Sequence, residues 1–243
     1  MDTNVTLENL RSMAGTAGIP IVNMYSDKRS AFNYIHHEAI KDAAKCYGWE
    51  KCLLIDDMLD CVEFRLRMNG IGVTGYARLA KGVVQGSKVG SKIYAAVENM
   101  FTKWVEKSTK GFTCAVQKAD GTETVVNVHT QTHMDDMVDI VHCKEEAKAT
   151  QDLRNLPAAH YQHPFAAEKG MIIATDEDGV PDIDVQTVAW EAPNKYGNVP
   201  AMDEDDGNGY EHGGFCVDHS GLMKTGQQLM EKQLEGLLRV KGC

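Results

Sequence analysis

The strongest constraint on what this chain can fold into is a pair of β-rich segments around a tight turn. Phe112-Thr-Cys-Ala-Val-Gln117 and Thr122-Glu-Thr-Val-Val-Asn-Val128 flank Lys118-Ala-Asp-Gly121. An Asp-Gly pair between two such runs tolerates the backbone angles of a tight hairpin turn. The spacing predicts a β-hairpin over 112–128.

Helical periodicity dominates the residues before it. Leu7, Leu10 and Met13 mark a short helix over 5–14, ended by Gly15, Gly18 and Pro20, with Ile19–Val22 extended. Ser26 or Asp27 is a good N-cap, and Phe32, Ile35, Ala39, Ile40, Ala43 and Tyr47 recur at three- and four-residue steps. This predicts one helix stopped by Gly48. A second helix is expected over 50–68, with Leu54, Met58, Val62 and Leu66 on one stripe. The stretch 74–107 is helical in pattern but carries Gly82, Gly86 and Gly90 at steps of four. Interior glycines cost about 1 kcal/mol each relative to alanine. Three on one face imply close approach of another backbone, or else the helix breaks near Gly86.

After the hairpin, a helix is expected over 135–153, with Met137, Ile140, Val141 and Ala147 inward. Strands are expected at 170–174 and 183–190, a long Gly-, Asp- and Pro-rich loop at 193–221, and an amphipathic C-terminal helix over 222–240. The expected fold class is α+β: a mainly helical N-terminal half, the hairpin, and a mixed second half. The organisation divides into a helical region, 1–110, and an acidic α+β region, 111–243, which could also be one domain.

Charge divides the chain in the same way. Arg65–Lys118 holds ten Lys and Arg against two acids, whereas Ala119–Asp218 holds five against twenty-one, within a net charge of −10. The basic stretch is either a solvated helix face or a surface that meets a polyanion, whether nucleic acid or the acidic half of another copy. Arg78, Lys81, Lys88 and Lys92 are its candidate contact residues. No apolar run approaches the ~20 residues of a membrane span, so no membrane partner is expected. Seven cysteines at irregular spacing, without a CxxC, point to reduced thiols, with Cys243 the best placed for an intermolecular disulfide.

No catalytic signature emerges, and no cofactor is expected. His212, Cys216 and His219 form the tightest candidate metal cluster, but a closed zinc site needs a fourth ligand. His133, Asp135 and Asp136 could form a hydrolase-like cluster, yet acids at that position also suit the start of the expected helix. The acidic runs at 176–179 and 203–211 do not fit the EF-hand register.

Residues 7–50 resemble the opening of tailed-phage head–tail adaptor (neck or connector) proteins. The matching features are Leu7, Leu10, Met13, Gly18-Ile-Pro-Ile-Val22, the helix ending at Tyr47, and Gly48-Trp49. Family members often continue with a short aromatic strand, where this chain has Glu50-Lys-Cys-Leu53. The resemblance implies a non-enzymatic structural subunit of a phage-like virion, assembled in the host cytoplasm. Its expected partners are copies of itself in a homo-oligomer and other particle proteins, with DNA contact left open. The alternatives are a metal-dependent hydrolase using His, Asp and Cys of the second half, and a nucleic-acid-binding module centred on 65–118.

Overall fold

In a computed structural model of the chain, the described residues are 3–49, 55, 59, 63–65, 67–68, 72–73, 75–78, 81–84, 87–118, 120–133, 136–174, 186–188, 196–198, 210–212 and 215–217. The elements in order are α1 (Thr3–Ala17), β1 (Val22–Asp27), α2 (Ala31–Tyr34), α3 (His37–Cys46) and four two-residue strands, β2 (Glu63–Phe64), β3 (Arg67–Met68), β4 (Gly72–Val73) and β5 (Ala77–Arg78). Then come α4 (Lys88–Ser108), β6 (Phe112–Gln117), β7 (Glu123–Val128), β8 (Thr130–His133), β9 (Asp136–Val141), α5 (Lys144–His160), a 3₁₀ turn (Ala167–Lys169) and β10 (Met171–Ala174). Short strands follow at Gln186–Val188 (β11), Tyr196–Asn198 (β12), Tyr210–His212 (β13) and Phe215–Val217 (β14). The class is α+β.

An antiparallel sheet in the order β10-β1-β9-β8 organises the molecule. Its centre, β1, comes from before residue 110, and its three companions come from after it. Strand side chains alternate between faces, so the two faces of β1 meet different cores. Val22 and Met24 join Val141, Ile172 and Ala147 of α5. Tyr25 joins Val138, Ile140, Leu7, Leu10 and Ala14 of α1, and Phe112 and Cys114 of the β6–β7 hairpin. The sheet is thus covered by α5 on one side and by α1 with the hairpin on the other. A further core, from Ala31, Ile35, Ile40, Ile93, Tyr94, Val97 and Phe101, joins α2, α3 and α4.

The hairpin over 112–128 forms in the expected register, Phe112 opposite Val128 and Gln117 opposite Glu123. Four expected helices do not run as read. Ser26 and Asp27 cap nothing: they are β-strand residues opposite Met137 and Asp136. After them Ser30 turns left-handed (φ 47°), α2 lasts four residues, and His36 caps α3 by accepting from the Glu38 N–H at 3.3 Å. Residues 136–141 form β9 rather than the start of a helix. Met137, Ile140 and Val141 have helical spacing, but Val138 and Asp139 between them are equally buried. A strand covered on both faces reads as a continuous apolar run, and any such run contains i, i+3, i+4 triplets.

In the expected helix over 50–68, Ile55 and Leu59 are helical and buried, whereas Glu63–Phe64 and Arg67–Met68 are strands pairing with β5 and β4. The helix expected from 74 begins at Lys88, where the Ser87 hydroxyl accepts from the Gly90 N–H at 3.4 Å. Within the expected loop 193–221, β12, β13 and β14 are strands. The expected helix over 222–240 lies outside the described residues.

Candidate active site

The register of the central strands brings two acids together. Asp27 ends β1 and Asp136 opens β9, and they are cross-strand partners. Directly opposed residues of antiparallel strands share a face, with Cα atoms about 4.5–5.5 Å apart. Counting from Tyr25 and Val138, both acids belong to the α1-and-hairpin side of the sheet, at its end. Both are half-buried. The adjoining hairpin pairs His133 with Asp136, which leaves Met134 and Asp135 as the two residues between β8 and β9. Asp135 lies outside the described residues. Among the described residues, no cluster of three or more His, Cys, Asp or Glu is assembled for a metal.

Several contacts fix this end of the sheet. The Lys169 ammonium reaches Asp27 Oδ2 at 2.9 Å. The Asp27 carbonyl accepts from the Ala166 N–H at 2.9 Å, and Lys28 forms a β-bridge with Phe165. Arg154 of α5 grips Asp139 of β9 with both ends of its guanidinium, and also donates to the Thr130 hydroxyl of β8 at 2.8 Å. Thr130 in turn donates to Asp139 at 2.6 Å. The β8–β9 hairpin that carries Asp136 is therefore bolted to the helix behind it.

Next to Asp27, the chain buries a cation. Lys28 is 3% exposed, its ammonium 3.7 Å from the Phe165 ring centroid and 3.4 Å from the His163 carbonyl. Burial pushes Lys28 down to about 8, against the pull of Glu98. Burial, and then the Lys28 charge, hold His163 well below the ordinary imidazole range. Its 3.6 Å approach to Glu98 is accordingly a contact of a neutral ring at neutral pH, not an ion pair.

The residues singled out in the sequence lie elsewhere. Arg78 is exposed on β5 opposite Glu63. The Lys81 ammonium lies 5.8 Å from the Tyr34 ring. Lys88 and Lys92 are exposed on the first turns of α4. Gly82 precedes α4 with φ 87°, its N–H donating to the Ile35 carbonyl at 2.7 Å; a Cβ there would stand 2.7 Å from the Asn33 carbonyl oxygen. A Cβ on the buried Gly90 would stand 2.6 Å from the Val84 carbonyl oxygen. Both glycines permit close backbone approach, but Gly82 lies outside α4, so they do not share a helix face. Gly86 lies outside the described residues. His212 pairs with Phe215 and Cys216 with Glu211 across β13–β14, and His219 lies outside the described residues.

The sequence reads Asp27 as a helix cap, and Asp136 either as a helix-start acid or as part of a hydrolase-like cluster with His133 and Asp135; it does not pair the two. The signal that finds them is Thr130–His133 and Asp136–Val141 read as strands flanking a two-residue turn that ends in paired acids.

No family model and no curated protein matches this chain. Its structure is similar to that of apo telomerase from Candida tropicalis truncated from its C-terminal domain, at TM-score 0.53 and 12% identity, over 91% of this chain and 38% of that one. A second similar structure is Candida tropicalis telomerase in complex with a TWJ fragment of telomeric RNA, at TM-score 0.48 and 11% identity, over 80% of this chain and 32% of that one. The chain thus spans little more than a third of the first telomerase chain. At this identity the likeness is one of fold. It overturns the resemblance to phage head–tail adaptors, and with it the reading as a virion connector subunit. The matched features at 7–50 belong to a helix, a central sheet strand and two separate helices, not to a neck-protein helix pair. Neither comparison supports particle partners or a homo-oligomer.

Proposed function

We propose that this chain is the catalytic core of a nucleic-acid polymerase, adding nucleotides to the 3′ end of a strand held on a template. The observation that carries the reading is the half-buried cross-strand pair Asp27–Asp136 where β1 ends and β9 begins, in a fold like that of telomerase.

The donor set fits a hard divalent cation. Carboxylate oxygens suit Mg²⁺, which is characteristically held by one or two carboxylates together with substrate phosphates. When bound, such ions supply Lewis-acid stabilisation to the attacking and leaving oxygens of an in-line displacement at phosphorus. The reaction is attack of a strand's 3′ hydroxyl on the α-phosphorus of a nucleoside triphosphate, with pyrophosphate leaving. The protein's part is to hold Asp27 and Asp136 on a rigid sheet, braced by Arg154 from behind. Lys169 places a cation at Asp27 that a triphosphate can share. The basic segment supports nucleic acid as the partner: Val83 donates to the Phe32 carbonyl at 2.8 Å, which seats Lys81–Val84 against α2, just after Asp27 in the chain.

A primer-extension assay tests this, with labelled primer on RNA and on DNA templates, Mg²⁺ and the four deoxynucleoside triphosphates. Template-dependent extension that is lost on chelation is expected. Nucleic-acid binding without extension on either template contradicts the polymerase reading and leaves a binding module.

A further inference from the structure

The ends of α3, α4 and α5 line a groove of about 680 Å³, and neither Asp27 nor Asp136 is among its lining residues. That lies within the ~300–1,000 Å³ of typical small-ligand sites. Its walls combine aromatic rings with cations: Tyr47 from the end of α3, Lys103, Trp104 and Lys107 from α4, and His160 and Tyr161 from the end of α5.

The sequence of α4 explains why these residues face outward. Tyr94, Val97, Phe101 and Val105 recur at helical spacing and are buried. Trp104 falls beside that stripe and stays 39% exposed, with Lys103 and Lys107 on its flanks also exposed. Trp104 is thus a large ring that stays partly exposed between two lysines.

The rings are held in place by their edges. Asn99 donates to the Tyr47 hydroxyl at 2.7 Å, and the Tyr47 ring stacks on Trp49 at 5.2 Å with 30° between planes. Tyr161 donates to Asp42 Oδ2 at 2.9 Å, and its ring lies 5.5 Å from Phe101 and 4.6 Å from His160. The Lys103 ammonium stands 5.5 Å from the Tyr47 centroid. The acid behind this wall, Asp42, is already engaged by Lys45 at 2.8 Å as well as by Tyr161. The groove therefore offers stacking surfaces set in advance, with positive charge at its rim.

Aromatic platforms lined by lysines are the chemistry that holds single-stranded nucleic acid, bases on rings and phosphates on ammonium groups. We propose that this groove binds a single strand of nucleic acid, with a base on Trp104 and phosphates on Lys103 and Lys107. It is separate from the carboxylate site, and its occupant is chosen by charge complementarity: both lysines belong to the stretch Arg65–Lys118, which carries ten Lys and Arg against two acids. A strand leading to or from the carboxylate site would be such an occupant, but the groove does not depend on polymerase chemistry.

The test uses the full chain with Trp49 and Trp190 changed to Phe, leaving Trp104 as the single tryptophan. Short oligo(dT) and oligo(rU) are titrated at low and at physiological salt while Trp104 fluorescence is read. Quenching by either oligonucleotide, weaker at higher salt, is expected. Lys103→Ala with Lys107→Ala should weaken binding about tenfold and lower the slope of log affinity against log salt by about 1.4, or about 0.7 per phosphate contact. Both lysines are exposed, and an unchanged circular-dichroism melt checks that the variant folds. Trp104 fluorescence unmoved by both oligonucleotides overturns the proposal, as does an unchanged affinity and slope in the double variant. So does quenching that tracks protein concentration alone, which marks a second copy as the occupant. Salt-dependent quenching in a protein that shows no primer extension upholds the groove while removing the polymerase reading.

Discussion

Arg154 and Asp139 form an ion pair almost without water, their side chains 2% and 1% exposed. Removing one partner of a buried pair strands the other charge, at a cost of about 3–5 kcal/mol. Arg154→Met should lower unfolding free energy by that amount in urea titrations. Arg154→Met with Asp139→Leu should recover most of it, because two apolar side chains leave no stranded charge. Lys28 makes a second prediction. Its folded value is about 8, against 10.5 ordinarily, so between those values the unfolded chain binds the extra proton and stability rises with pH. From pH 8 to 10 the gain should be about 2 kcal/mol, since one pH unit of linkage is worth ~1.4 kcal/mol. The window stops there because Tyr161, pushed up by burial to about 12, favours the unfolded chain once free tyrosine ionises near 10. Thermal melts across this range should climb for the wild type and stay level for Lys28→Met. Neither group was legible in the sequence as a pair or a buried cation. Charged side chains are read as surface by default, and only the fold reveals that β9 and the end of β1 are covered on both faces.

Among the elements, the hairpin at 112–128 was the most legible, because its turn and its alternation agree over a short span of sequence. β1 and β9 were not legible, because central strands lose the alternation that marks a half-exposed strand. Their partners lie more than a hundred residues apart, as Val22 and Val141 show, and no local pattern carries that pairing. The glycine series at 82, 86 and 90 was readable as a demand for space, but not as where the space lies. Gly82 is needed twice over, for its left-handed backbone and for the Asn33 carbonyl 2.7 Å from where a Cβ would be. Gly82→Ala should cost at least about 1 kcal/mol, since alanine at positive φ costs more than the usual gain from losing a glycine. Denaturant titration checks this, and Gly121→Ala serves as the comparison: its φ is 79° but nothing lies within 4 Å of the added Cβ. The difference between the two isolates the contact with α2.

For the molecule as a whole, the division of charge was visible from the start and its meaning was not. Set against the acidic stretch that follows, the basic stretch suggested copy-to-copy contact. The fold instead spreads the basic residues over several elements: Arg67 and Arg78 lie on short strands, Lys88, Lys92, Lys103 and Lys107 on α4, and Lys118 in the hairpin turn. The two acids were named in different contexts, Asp27 as a cap and Asp136 as a helix-start acid or a member of a hydrolase-like cluster with His133 and Asp135, and only the β1–β9 register joins them. That register also sets the decisive experiment. Primer extension should be compared for the wild type, Asp27→Asn, Asp136→Asn and the double variant. Each single variant should lose about 10²–10³-fold in rate, the scale for removing one preorganised electrostatic group. The double should lose little more than either alone, because residues acting as one unit are not additive. Wild-type extension that survives unchanged in either single variant would contradict the account.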